Sequence, residues 1–221
     1  MTEYSDRRPS RRTFMVGAGA AALASLASPS LAQRYKLTAA GRKFYGEIYG
    51  PLPDEIFPVP GVRFDVLDPT YLRQAVDYET SERVGTVVVD TGKHLLYLTM
   101  PEGRAIRYGI GIGRAGFEWS GRALIKFKRP WPTWTPPTEM IARQPELEKY
   151  RGGMPPGLDN PLGARALYIF RDGIDTLYRL HGNGDVSSIG RAVSSGCVRL
   201  LHQDVIDLYN RVPDNSPIVV L

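Results

Sequence analysis

The chain has 221 residues, with 28 Lys and Arg against 23 Asp and Glu, for a net charge of +5. That balance is mildly basic and no Lys/Arg cluster stands out, which argues against nucleic acid as a partner. One cysteine excludes an internal disulfide, and 18 prolines, 23 glycines and 12 tyrosines favour a β-rich, loop-rich chain.

Residues 1–32 carry the three parts of an export signal. Met1–Arg12 is charged, Thr13–Leu26 is an Ala/Gly-rich apolar run, and Ser30-Leu31-Ala32 fits the small-residue cleavage rule. The apolar run falls short of the roughly 20 residues of a membrane-spanning helix, so a cleaved signal is expected, with the mature chain starting at Gln33. Ser10-Arg11-Arg12-Thr13-Phe14-Met15 resembles a twin-arginine signal, which implies export after folding into a bacterial periplasm. Without the four arginines and two acidic residues of 1–32 the net charge falls to +3, a weak bias suited to a polyanionic wall.

Residues 33–83 form a Pro- and aromatic-rich extension, with Tyr49-Gly50-Pro51-Leu52-Pro53 and Phe57-Pro58-Val59-Pro60-Gly61. Prolines at this density are expected to prevent a helix or inner strand, so the extension reads as a strap or linker. One or two helical turns are expected over Asp68–Val76, opening near Pro69. Residues 84–221 read as a β-rich domain. Val84–Asp90 and His94–Met100 are strand-like and joined by Thr91-Gly92-Lys93. A further strand spans Ala105–Gly113, and its glycines at 109, 111 and 113 leave one face without side chains, so something is expected to pack closely there. No helix pattern follows these glycines, which rules out a nucleotide loop. Another strand is expected over Gly121–Lys128. Pro130–Pro137, with Trp131 and Trp134 among four prolines, is a stiff aromatic loop: either a surface loop burying its own rings or a wall of a cleft. A short helix capped by Thr138 follows, then a Gly/Pro loop to Gly163. Strands are expected at Ala164–Phe170 and Asp175–His181, then a helix from Leu201 to Val212 and a closing strand at Pro217–Leu221.

The chemistry centres on Cys197 and His181. Cys197 is the only cysteine and follows Ser194-Ser195-Gly196; His181 lies sixteen positions upstream, at the end of a strand broken by Gly182. A free thiol in an oxidising compartment is at risk of oxidation, so it needs either burial or a use. A histidine near the thiol would supply the base that cysteine nucleophiles need. A resting thiolate, reactive well below the pH of a free cysteine, is the expected mark of such a pair. A zinc site from Cys197, His202 and His181 lacks a fourth ligand, so no metal is expected.

His181-Gly182 and Ile189-Gly190-Arg191-Ala192-Val193-Ser194-Ser195-Gly196-Cys197-Val198-Arg199-Leu200 resemble the signature of YkuD-type L,D-transpeptidases. The resemblance spans about 84–221 and is supported by Gly85–Asp90, Gly109-Ile110-Gly111 and Asn160-Pro161-Leu162-Gly163. It implies a mainly β, YkuD-like β-sandwich with one or two short helices. It also implies a Cys197 nucleophile, His181 as general base and acid, the Gly182 carbonyl orienting the imidazole, and Gly196 and Cys197 N–H groups stabilising the oxyanion. Arg199, Ser194, Ser195 and Trp134 are the candidate substrate-binding residues. Ser195 departs from the family, most members having histidine there; this puts rate or specificity in doubt more than activity, because the base corresponds to His181. The implied substrates are peptidoglycan stem peptides, cleaved before D-alanine, with a second stem or an outer-membrane protein as acceptor, and no cofactor. The enzyme would be peripheral to the wall and monomeric.

Two rivals use other classes of evidence. Sortases also run His, Cys, Arg, but with a far longer His–Cys gap, and papain-like and NlpC/P60-like peptidases place Cys first. A wall-binding module without activity, marked by Ser195, and an L,D-carboxypeptidase using water as acceptor stay open at this level.

Overall fold

The structure is a computed structural model that describes residues 37–113, 120–194 and 197–221. The signal expected over 1–32 lies outside the described residues, as do Ser195 and Gly196.

Runs of β-branched and aromatic residues between Gly, Asp and Pro turns give mainly strand. Numbered in chain order, β1 (Gln74–Asp77), β4 (Arg104–Gly109), β3 (Leu95–Met100), β2 (Val87–Asp90), β11 (Ser216–Val220), β6 (Gly121–Pro130), β7 (Arg165–Arg171), β8 (Ile174–Asn183) and β10 (Val198–Leu201) lie side by side in that order. β2–β11 and β8–β10 are parallel and the other neighbours antiparallel. β5 (Ile112–Gly113) and β9 (Ala192–Ser194) form a separate parallel pair. Leu96, Tyr108, Ile125, Leu167, Leu180, Leu200 and Val220, drawn from β3, β4, β6, β7, β8, β10 and β11, share one core with Val205 and Leu208. A nine-stranded sheet can share one core only by folding over on itself. The Gly111–Arg199 bridge joins the exit of β4 to β10 and marks where the two arms meet. The sandwich expected from the sequence is therefore two layers of one continuous sheet.

The Ala105–Gly113 run divides because its two halves serve different partners: β4 pairs with β3, while Gly111 and β5 reach β10 and β9. Its bare face is used as expected. A side chain at Gly109 would collide with the backbone of Tyr71, and one at Gly111 with the carbonyl of Ser188.

Three α-helices occur among the described residues. α2 (Thr138–Arg143) and α3 (His202–Arg211) lie in the β-rich domain. Thr138 is the first helical residue and not the cap, and Pro145 diverts the chain into a 3₁₀ turn over Pro145–Tyr150. α1 (Ala39–Ile48) contradicts the expectation of no helix in the extension. It occupies the stretch ahead of Pro51, and the Thr38 side chain accepts from Gly41 N–H at 3.1 Å to cap it. Pro69–Tyr71 forms the expected turn, with Asp68 Oδ1 accepting from Thr70 N–H at 2.8 Å, but Gln74–Asp77 is strand β1 paired with β4 rather than helix.

The extension is bound to the domain by polar contacts in poorly hydrated places. Tyr49 is buried and its hydroxyl donates to Asp204 Oδ2 of α3 at 3.2 Å while accepting from Arg73 N–H at 2.7 Å. Arg73 lies 3.6 Å from Asp204 and 3.0 Å from Asp207. Gln203 donates to the carbonyls of Gly50 and Pro60. Glu55 pairs with Arg165 at 2.6 Å and accepts from the Trp131 indole at 2.8 Å, contacts that hold its carboxyl below the usual range.

Asp204 is fully buried, and burial pushes its carboxyl from 3.8 up to about 7, against the opposing pull of Arg73 and Tyr49. Because the folded value lies above the unfolded one, its contribution is fully present below about pH 3.8 and is lost as pH rises through about 7. Asp204→Asn keeps an acceptor for Tyr49 and cannot ionise. Urea unfolding is expected to find the variant more stable than wild type at pH 8, with the difference shrinking toward pH 4. A wild-type advantage at pH 8 would show that the ionised carboxylate is the native form.

Candidate active site

The parallel register of β8 and β10 builds the site. Leu180 aligns with Val198 and His181 with Arg199. Leu180 and Val198 are fully buried in the core, so His181 and Arg199 share the opposite face. Alternation puts Cys197, one residue before β10, on that same face. The register thus places on one face three residues that the sequence separates by up to eighteen positions.

Each is held differently. The imidazole of His181 is 5% exposed, and its Nδ1 lies 3.0 Å from the Gly182 carbonyl. With the proton on Nδ1, this bond leaves Nε2 as an acceptor. The Asn160–Gly163 loop covers the ring. Asn160 Nδ2 faces the carbonyls of Pro132, Met154 and Pro155 at 2.9–3.1 Å, its Oδ1 accepts from Leu162 N–H, and Leu162 O accepts from Gly182 N–H. Gly182 and Gly163 are tied to this arrangement, since side chains on either would strike the His202 ring. Arg199 is half-buried. Its backbone exchanges hydrogen bonds with Gly111 at 2.8 and 2.9 Å, and its Nε is buried with no hydrogen-bond partner among the described residues.

Cys197 Sγ rests 3.9 Å from the Leu177 carbonyl. Leu177 has a left-handed backbone, φ 63°, where the β7–β8 register slips. Arg179, two residues on, is a site residue that sequence reading did not single out. Its guanidinium forms a two-pronged pair with Asp175 at 2.7 Å and stacks over Tyr168. Only the strand register could have shown that it aligns with Cys197.

Burial pushes the Cys197 thiol up from its ordinary value, against the Arg179 backbone N–H and the charges of Arg179 and Arg199. Burial likewise lowers His181 to about 4, with the charges of Arg199 and His202 acting in the same direction and the bonds to Gly182 and Pro161 opposing. Both shifts favour a neutral thiol and a neutral imidazole. These directions run against the resting thiolate expected from the sequence: at the thiol desolvation outweighs the arginines, and at the imidazole Arg199 adds to it.

Of the other candidates, Ser194 ends β9, beside Gly113 of β5. Trp134 is half-buried, and its backbone pairs with Met154 in both directions. Trp131 is 6% exposed and packs on Phe57 at 4.9 Å, so this ring anchors the extension rather than facing a cleft. No cluster of three or more potential metal ligands occurs among the described residues.

Residues 85–220 match the model of the YkuD family, the L,D-transpeptidase catalytic domain. The chain belongs to that family. It is 33% identical over 139 residues to Probable L,D-transpeptidase ErfK/SrfK of Escherichia coli K12, covering 61% of this chain and 43% of that one. It is 36% identical over 134 residues to Probable L,D-transpeptidase YbiS of the same organism, covering 58% and 42%. The chain thus spans well under two thirds of the length of these relatives. Among solved structures, one from Brucella melitensis described as a probable carnitine operon oxidoreductase is 41% identical, with a TM-score of 0.50, covering 72% of this chain and 99% of that one. The dinucleotide loop of many oxidoreductases needs a Gly-rich turn between a strand and a helix. Here the glycine run instead leaves β4 for the bridge to β10 and for β5.

The neutral pair makes a prediction about reactivity. The rate of iodoacetamide alkylation of Cys197 should rise only above the pH at which an ordinary cysteine titrates, with no plateau between pH 5 and 7. His181→Ala should leave that profile nearly unchanged. An acid plateau that disappears in His181→Ala would establish a resting ion pair instead.

Proposed function

We propose that the chain is a cysteine-dependent peptidoglycan L,D-transpeptidase. The observation that carries this reading is the alignment of His181 with Arg199 on the face of β8 and β10 opposite the core, two residues after Cys197, within a family-matched domain. In the proposed reaction Cys197 Sγ attacks the carbonyl of the third residue of a tetrapeptide stem while its proton passes to His181 Nε2. The tetrahedral oxyanion is held by the N–H groups of Gly196 and Cys197, each donor worth roughly 3 kcal/mol. His181 then returns the proton to the departing amine, D-alanine leaves, and a thioester remains. An acceptor amine attacks the thioester, losing its proton to His181, and a new amide forms as the thiol is restored. The Gly182 carbonyl keeps the imidazole oriented through the cycle.

A neutral resting pair suits this sequence. An imidazole with a value near 4 stays unprotonated at neutral pH and is free to accept, and the thiol need ionise only as attack proceeds. The unpartnered Nε of Arg199 supports its assignment to a substrate carboxylate. Ser194, Ser195 and the Trp134 loop are assigned to the substrate cleft. Residues 1–32 are assigned to a cleaved twin-arginine signal, 33–83 to an extension and 84–221 to the catalytic domain, with the mature protein in the periplasm. The acceptor is a second stem, giving a 3→3 cross-link, or a wall-attached outer-membrane protein.

Mass spectrometry of the mature protein incubated with disaccharide-tetrapeptide muropeptides tests the reading. A 3→3 cross-linked dimer is expected, absent with a folded Cys197→Ala variant and reduced about 10²- to 10⁴-fold with His181→Ala. The acid limb of kcat/KM should fall as pH drops through about 4, where His181 protonates. Tripeptide without dimer would identify a carboxypeptidase. Unchanged muropeptides would favour a wall-binding module, and a fully active Cys197→Ala would overturn the mechanism.

A further inference from the structure

The segment that delivers Cys197 is braced by a residue outside the family-matched region. Gly190, in the crossover between β8 and β10, has φ +76°, and a Cβ there would lie 2.6 Å from Cε2 and 2.7 Å from Cζ of Tyr71. Tyr71 comes from the 3₁₀ turn of the extension, and its backbone also fills the space beside Gly109 at the end of β4. Beside it, Leu67 and Leu72 of the extension cover Ile189 in a small buried cluster. Backbone bonds complete the brace: Gly190 N–H donates to Ile110 O at 2.9 Å, and Ile112 N–H donates to Arg191 O at 3.0 Å. β9 begins at the next residue and leads toward the cysteine.

We propose that Tyr71 is a positioning residue for the nucleophile: its ring, wedged against Gly190, fixes the crossover that presents Cys197 to His181. The inference rests on the reading of Cys197 as nucleophile. A crossover of this length has slack, and a displacement of about 1 Å at a reacting group can cost on the order of a hundredfold in rate. The wedge removes that slack in two ways. A flat ring spreads contact over a left-handed glycine that no other residue could occupy without strain. The same tyrosine is also locked to β4, so the crossover is referenced to the sheet and not to solvent.

The test compares Tyr71→Phe, Tyr71→Leu and Tyr71→Ala in the mature protein, with circular dichroism to confirm folding at the assay temperature. In the muropeptide assay Tyr71→Phe should keep wild-type kcat. Tyr71→Leu and Tyr71→Ala should lower kcat by about tenfold or more while KM moves by less than about threefold. Hydrogen exchange at the amides of Gly190 and Ile112 should quicken in Tyr71→Leu and not in Tyr71→Phe. Should Tyr71→Ala fail to fold, Tyr71→Leu decides. A folded Tyr71→Leu with wild-type kcat, or with unchanged protection at both amides, overturns the proposal. If wild type itself forms no dimer, the transpeptidase reading fails, and amide protection still reports on whether Tyr71 fixes the crossover.

Discussion

Parallel strands cannot be joined by a tight turn. β8 and β10 are adjacent and parallel, so the chain must leave the end of β8, double back and re-enter with Val198–Leu201 alongside Leu180–Asn183. Residues 184–197 make that journey, and the nucleophile candidate sits at the point of re-entry. The sixteen-position spacing of His181 and Cys197 is set by this crossover and the last two residues of β8. Much else follows from it: Gly111 must lack a side chain because the crossover's Ser188 carbonyl occupies its place, and Gly190 because Tyr71 does. The curl of the sheet has the same origin, since the bridge to Arg199 brings the exit of β4 against β10.

The burial that orders the site also sets its chemistry. His181 is enclosed between strands and the Asn160–Gly163 loop, which fixes the ring but strips water from the imidazolium form. Cys197 loses more from desolvation than the two nearby arginines restore, in part because the charge of Arg179 is already engaged by Asp175. The result is a base that stays free and a thiol that stays protonated until a substrate carbonyl arrives. A protonated thiol is also less open to oxidation than a thiolate. Restraint of the resting nucleophile and readiness of the base are thus consequences of one desolvated pocket.

How far the sequence could be read depended on whether each signal was local. Strands β2, β3, β6, β7 and β8 announce themselves by apolar runs between turn residues, and α3 by its 3.6-residue stripe. β10 is four residues long and lies against a partner whose alignment no local pattern encodes, so Cys197 reads as a turn residue and its neighbour Arg179 passes unnoticed. α1 was hidden by averaging over a proline-rich stretch whose residues 33–50 are free of proline. Trp131 shows a different limit. An aromatic loop of this composition serves equally as a cleft wall or an anchor, and the partner that decides for this ring, Glu55, lies far away in the chain.

The boundary between extension and domain is similarly a matter of which evidence draws it. Similarity to the family begins at residue 85, yet Tyr49, Arg73 and Tyr71 fill positions inside the folded domain that nothing after residue 84 occupies. Asp204 illustrates the dependence. A fully buried carboxyl is costly unless it is paired or neutral, and its partners, Tyr49 and Arg73, both come from the extension. The glycines at 109 and 190 make the complementary case on the apolar side, since without Tyr71 they would face a void that the close packing of protein interiors does not tolerate. Polar and apolar packing agree that residues 37–83 are part of the architecture around β10 and its crossover. The extension therefore belongs to the same structural problem as the candidate active site: how to hold a long parallel crossover still.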